Sequence, residues 1–112
     1  TMGLSLAYFG ASPGAAAALV AAAELGQSIR AVVSRGGRPD LAGDALPNVV
    51  APTLMLVGPL DHDVIELNRQ AQQRMGCVTD LIVIPGAGHL FEEPGTLEQV
   101  SQHATEWFQR HF

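Results

Sequence analysis

Four short apolar runs recur along this chain: Leu4–Phe9, Ile29–Val33, Thr53–Val57 and Leu81–Ile84. None of them keeps up an apolar/polar alternation. A strand with one wet face alternates, whereas an unbroken apolar run suits a strand buried on both faces of a parallel sheet. Helix-like stretches lie between the runs. Ala15 to Leu25 follows Pro13-Gly14 and stops at Gly26, and proline near the start with glycine past the end is the usual punctuation of a helix. A polar helix is expected over Val64 to Met75, stopping at Gly76. The last helix is expected over Thr96 to Arg110, with Leu97, Val100, Ala104, Trp107 and Phe108 on one helical stripe. Thr96 with Glu98 or Gln99 close behind reads as its N-terminal cap. The second run leads into Ser34-Arg35-Gly36-Gly37-Arg38-Pro39, which is loop composition, and Asp40 to Pro52 reads as connection with a helical turn or two. The order predicts an α/β fold: a three-layer, open parallel sheet of about four strands flanked by helices, in a single domain over residues 1–112.

The chemistry of the surface narrows the function. The chain has a net charge of −5, and its six basic residues are all Arg. That balance, with a pI near 5.1, argues against a nucleic-acid groove or an anionic-membrane patch. One cysteine excludes an internal disulfide framework and a multi-cysteine zinc site. The longest apolar run, Ala15 to Ala23, falls far short of the roughly 20 residues that span a bilayer. No basic region precedes it, so it does not read as a signal peptide. The expectation is a cytoplasmic protein acting on a small molecule, with no nucleic-acid or membrane partner.

Three loops carry candidate chemistry, and each falls just past the C-terminal end of an expected strand, where open α/β sheets gather their ligands. The first is Gly10-Ala11-Ser12-Pro13-Gly14, a G-x-S-x-G between strand and helix. Small residues two before and two after the serine let strand and helix approach closely, presenting the hydroxyl above the sheet. The bland alternative is a glycine-rich turn. The second loop is Gly58 through Val64, with Asp61 as a carboxylate able to orient a histidine and Asp63 as the cap of the next helix. Asp40, after the second strand, is a weaker stand-in for that acid. The third is Pro85-Gly86-Ala87-Gly88-His89-Leu90-Phe91, whose histidine suits general-base work near neutral pH. His62, His103 and His111 fit better as solvated side chains.

In chain order the three are Ser12, Asp61, His89, which is the order of a hydrolase triad on this kind of sheet. On these motifs and the closing Trp107-Phe108 helix, the sequence resembles the α/β-hydrolase superfamily, in its dienelactone-hydrolase-like branch. The resemblance covers nearly the whole chain but only the last four of about eight strands, a truncated form of that fold. It implies esterase-type hydrolysis of an ester, lactone or similar acyl bond, through an acyl-enzyme on Ser12 and without a cofactor. His89 would be the base and Asp61 its orienting acid. Members of this branch often carry cysteine at the nucleophile position; here it is serine.

Two departures bear on the oxyanion hole. The family's loop ahead of the nucleophile strand, which gives one N–H, has no counterpart here. The residue after Ser12, which gives the other, is Pro13 and has no N–H. Loss of one such donor typically costs about 10²–10³ in turnover, so a catalytically silent half-fold acting as an assembly or binding module, or a fragment of a longer hydrolase, stands as the alternative. Arg35-Gly36-Gly37-Arg38 could hold an anion or be a solvated loop. Cys77, Met55 and Met75 read as packing residues, and Leu60 and Phe91 either line an acyl pocket or pack in the core. Leu4–Phe9 lacks the charges and prolines that blunt natural edge strands, and Ala15–Leu25 has only Glu24 as a charged residue. Both predict a homodimer joined through that strand.

Overall fold

The computed structural model describes residues 6–11, 19–24, 29–35, 39–59, 62–86 and 94–111. Four parallel strands lie in chain order, β1 (Leu6–Ala11), β2 (Ile29–Arg35), β3 (Thr53–Val57) and β4 (Thr79–Val83). Residues 19–24 are helical (α1), Pro39–Asn48 form a 3-10 segment, and α2 (His62–Arg74) and α3 (Thr96–His111) complete the elements. This is the expected open α/β sheet.

β3 is buried along its whole length, as an unbroken apolar run requires at the centre of a parallel sheet. β2 beside it alternates between two cores, Val32 facing one and Ala31 and Val33 the other. On one face, Val32 joins Leu19, Ala22, Ala42, Leu46, Val49, Ala51, Ala71 and Met75, beneath α1, the 3-10 segment and α2. On the other, Ala31, Val33, Leu54, Leu56 and Ile84 pack against Val100, Ala104 and Trp107 of α3. Two helical layers with a sheet between them give the three-layer arrangement.

α3 is fixed by its one buried aromatic. The Trp107 indole is 2% exposed, and its Nε1 donates to the Pro52 carbonyl at 3.1 Å. That carbonyl also accepts from the Val32 amide at 2.9 Å. A tryptophan N–H must find a partner when buried; here it ties the last helix to the entry of β3 and to β2.

Several expected boundaries move. β1 runs two residues past Phe9, β2 extends two residues past Val33, and β4 begins at Thr79 rather than Leu81. The helical turns expected within Asp40–Pro52 are Pro39–Asn48, a 3-10 run that kinks at Gly43, whose φ of 54° belongs to the left-handed region. Glycine enters that region without the steric penalty of a side chain. α2 begins at His62, so Asp63 sits inside its first turn and not at the cap, where its charge instead meets the positive end of the helix dipole. Thr96 is the first residue of α3 and is buried, not a solvent-facing cap. Leu97 departs from the expected stripe at 52% exposure. The buried line is Thr96, Val100, Ala104 and Trp107, one residue's rotation away from Leu97.

Candidate active site

Parallel strands bring their carboxyl ends to one edge of the sheet. Ala11, Arg35 and Leu56 mark that edge, because Ala11 registers with Arg35 and Arg35 with Leu56. β4 follows, with Val83 beside Val57. Ser12 is the next residue after β1, Asp61 comes four residues after β3, and His89 six after β4. All three lie outside the described residues, as do Leu60 and Phe91.

The described strands set limits on whether such a trio can meet. Neighbouring strands are about 4.8 Å apart, so β1 and β3 are separated by about 10 Å and β1 and β4 by about 14 Å. An extended chain covers at most about 3.5 Å per residue. Four residues therefore reach about 14 Å and six about 20 Å, enough for both connections to extend to the β1 end. Gly86 sits in the left-handed region (φ 78°), with nothing within 4 Å of where a Cβ would stand. The chain turns there, beyond Ile84, whose amide donates to Val57 at 2.8 Å. The His89 loop thus springs from a residue pinned to β3.

The remaining candidates separate cleanly. His62 is exposed at the start of α2, and His103 is half-buried on α3. His111 is a correction to the expected solvated side chain: its ring packs against Trp107 at 4.3 Å, because one further turn of α3 brings it over the indole. Asp40 is the second residue of the 3-10 segment. Cys77 is half-buried against the helix-rich core, as its packing role predicts. Burial pushes its thiol above the ordinary range, and a hydrogen bond with the Thr53 side chain only partly offsets this.

One feature at this end of the sheet escaped the sequence. Arg35 closes β2 and, with Leu97, Val100, Ser101, Ala104, Thr105 and Phe108, lines an open groove of about 350 Å³ along α3. Its size is at the small end of ligand clefts. Arg35 was legible only as part of a loop that could hold an anion or be solvated, and Ser101 and Thr105 carried no signal. Among the described residues no group of three His, Cys, Asp or Glu is placed to hold a metal ion, and no helix is long and apolar enough to cross a membrane.

Comparison with solved structures gives this architecture its class. The chain superposes over its full length on a dienelactone hydrolase from Anabaena variabilis, with a TM-score of 0.95 and 54% identity, covering 52% of that chain. It also superposes over 97% of its length on a predicted CIB-like hydrolase from Thermoplasma acidophilum, at a TM-score of 0.76 and 18% identity, again covering 52% of that chain. The second likeness is one of fold alone. The protein has an α/β-hydrolase-type fold. Within that class its likeness is to dienelactone hydrolase, of which it spans about half.

Among curated proteins, two from Mycobacterium tuberculosis strains are 61% identical over 111 residues, 99% of this chain. Both are provisionally named phosphoribosyl transferases, and the chain spans only 25% of their length. No family model matches the chain.

Proposed function

We propose that this chain carries the catalytic residues of a serine hydrolase acting on small ester, lactone or related acyl substrates. The observation that carries the reading is positional. Ser12, Asp61 and His89 follow three parallel strands whose carboxyl ends share one edge, within reach of one another by chain length. The 54% identity to a dienelactone hydrolase supports the same reaction class.

In this reading the Ser12 Oγ attacks the substrate carbonyl while His89 takes its proton, and Asp61 holds the imidazole in the right tautomer. The acyl carbon–oxygen bond to the leaving group breaks, and His89 returns the proton to the departing alkoxide. Water, deprotonated by His89, then releases the acid and restores Ser12. No cofactor enters. Because Pro13 has no N–H, the first backbone donor after Ser12 is the Gly14 amide, which would serve the developing oxyanion.

A catalytically silent module is the second reading, and Pro13 is the observation that favours it. The transferase name belongs to proteins about four times this length, of which the chain spans 25%. A fluorophosphonate probe separates the readings, since it labels an activated serine whatever the natural substrate. Labelling that disappears in Ser12→Ala supports the hydrolase. A folded sample left unlabelled overturns it, as does short-chain aryl-ester hydrolysis that Ser12→Ala leaves unchanged.

A further inference from the structure

Among the described strand residues two hydroxyls are buried, Thr53 of β3 at 0% exposure and Ser34 of β2 at 1%. Thr53 donates to the Ala51 carbonyl at 3.0 Å. The Ser34 Oγ has no hydrogen-bond partner among the described residues. A buried hydroxyl in that state costs stability, and alanine fills the same place without the cost. Packing therefore does not account for Ser34.

Its position does. Ser34 is the last residue but one of β2, and it pairs in register with Gly10 of β1 on one side and Met55 of β3 on the other. Gly10 stands two residues before Ser12. Paired strands are about 4.8 Å apart and two residues span at most about 7 Å, so the Ser12 backbone lies within about 12 Å of Ser34 by any path. The side matters as much as the distance. Alternate residues of a strand share a face, so Ser34 faces the same way as Val32, into the core that holds Leu19 and Ala22 of α1. The chain leaving Ala11 has to cross to that face of the sheet to reach Leu19. Ser34 thus stands beside the path of the connection that carries Ser12. It belongs to an interior strand, enclosed between β1 and β3.

We infer that Ser34 is a positioning residue for the nucleophile, its hydroxyl hydrogen-bonded to the backbone of the turn that carries Ser12. The inference rests on the hydrolase reading. A sharp strand-to-helix turn of this kind is strained and persists only where its surroundings hold it. Pro13 removes one amide by which the turn could be tied down. The Ser34 hydroxyl both donates and accepts, so it can take up a carbonyl or an amide of the turn and fix the direction of the Ser12 Oγ.

The rate of fluorophosphonate labelling at Ser12, followed against pH, tests this. Folded Ser34→Ala is expected to label about three- to tenfold more slowly, the worth of one neutral hydrogen bond. The pH midpoint is expected to stay in place, since it belongs to His89. Ser34→Thr keeps the hydroxyl and is expected to label at close to the original rate. A residue that only packs gives the opposite order, with the smaller alanine tolerated and the larger threonine slowed. An unchanged rate in Ser34→Ala overturns the inference, and so does an equal loss in Ser34→Thr. A moved pH midpoint also overturns it, because Ser34 would then act through His89. If Ser34→Ala does not fold, Ser34→Cys, similar in size but a weak hydrogen bonder, takes its place with the same expectation. A folded parent protein whose Ser12 is never labelled removes the hydrolase reading and this inference with it. A labelled parent indifferent to the change at Ser34 removes the inference alone.

Discussion

The two faces of the sheet are packed on different plans. Beneath α3, one helix meets the sheet through Val100, Ala104 and a single large side chain, Trp107, whose indole also makes the hydrogen bond to Pro52. On the other face nine small and medium residues among those described, Val32 of β2 and eight from α1, the 3-10 segment, α2 and their connections, share the burial, and no aromatic is among them. A concentrated core depends on one residue holding its rotamer and its partner. A distributed core loses little at any one position but depends on several backbone segments keeping their relative places.

The largest expected effect is therefore Trp107→Ala. Large-to-small aromatic substitutions in cores cost about 3–5 kcal/mol, and this one also removes the donor to Pro52. A urea titration is expected to show most of a small domain's stability lost, since such domains hold only about 5–15 kcal/mol. Leu46→Ala, at a fully buried position of the distributed face, is expected to fall at the lower end of the roughly 2–5 kcal/mol range for such truncations, because its small neighbours can close on the cavity. Equal losses at Trp107 and Leu46 would mean that the two faces are packed alike after all.

Gly43→Ala probes the backbone on the distributed face. No atom lies within 4 Å of the added methyl, so only the left-handed φ opposes it, at about 1–2 kcal/mol. No measurable loss would show that the kink is not needed to seat Leu46. Arg74→Ala removes an exposed pair with Asp44, 3.4 Å apart, which links α2 to the 3-10 segment. A change below about 1 kcal/mol is expected, as for other surface pairs.

The smallest effect is a slope. The folded-state pKa of Cys77 is raised, so the unfolded chain releases its thiol proton at lower pH than the folded one. The folded state then binds more protons, and stability falls as pH rises through the ordinary thiol range. Cys77→Ala is expected to flatten that alkaline decline, and alkylation of Cys77 in the native protein is expected to need higher pH than alkylation in urea. Equal alkylation profiles would show that the thiol is not desolvated by the distributed core.

Much of this architecture was legible in one dimension. The apolar runs at Thr53–Val57 and Ile29–Val33, the second interrupted only by Arg30, read as strands covered on both faces, and glycine punctuation located the helices between them to within two residues at most described boundaries. The order of Ser12, Asp61 and His89 past successive strand ends was likewise a property of the chain. Local chemistry fixes such features, because steric allowance and side-chain period act over a few residues. Tertiary structure decided what depends on rotation and reach. It turned Leu97 outward and put Thr96 in the buried line, a shift of one residue about the α3 axis that no pattern of apolar letters resolves. It laid His111 over Trp107 and brought Arg35 of β2 against Ser101 and Thr105 of α3 to form a groove. Those outcomes depend on which surfaces meet across distances in sequence of tens of residues, and only the packed chain sets them.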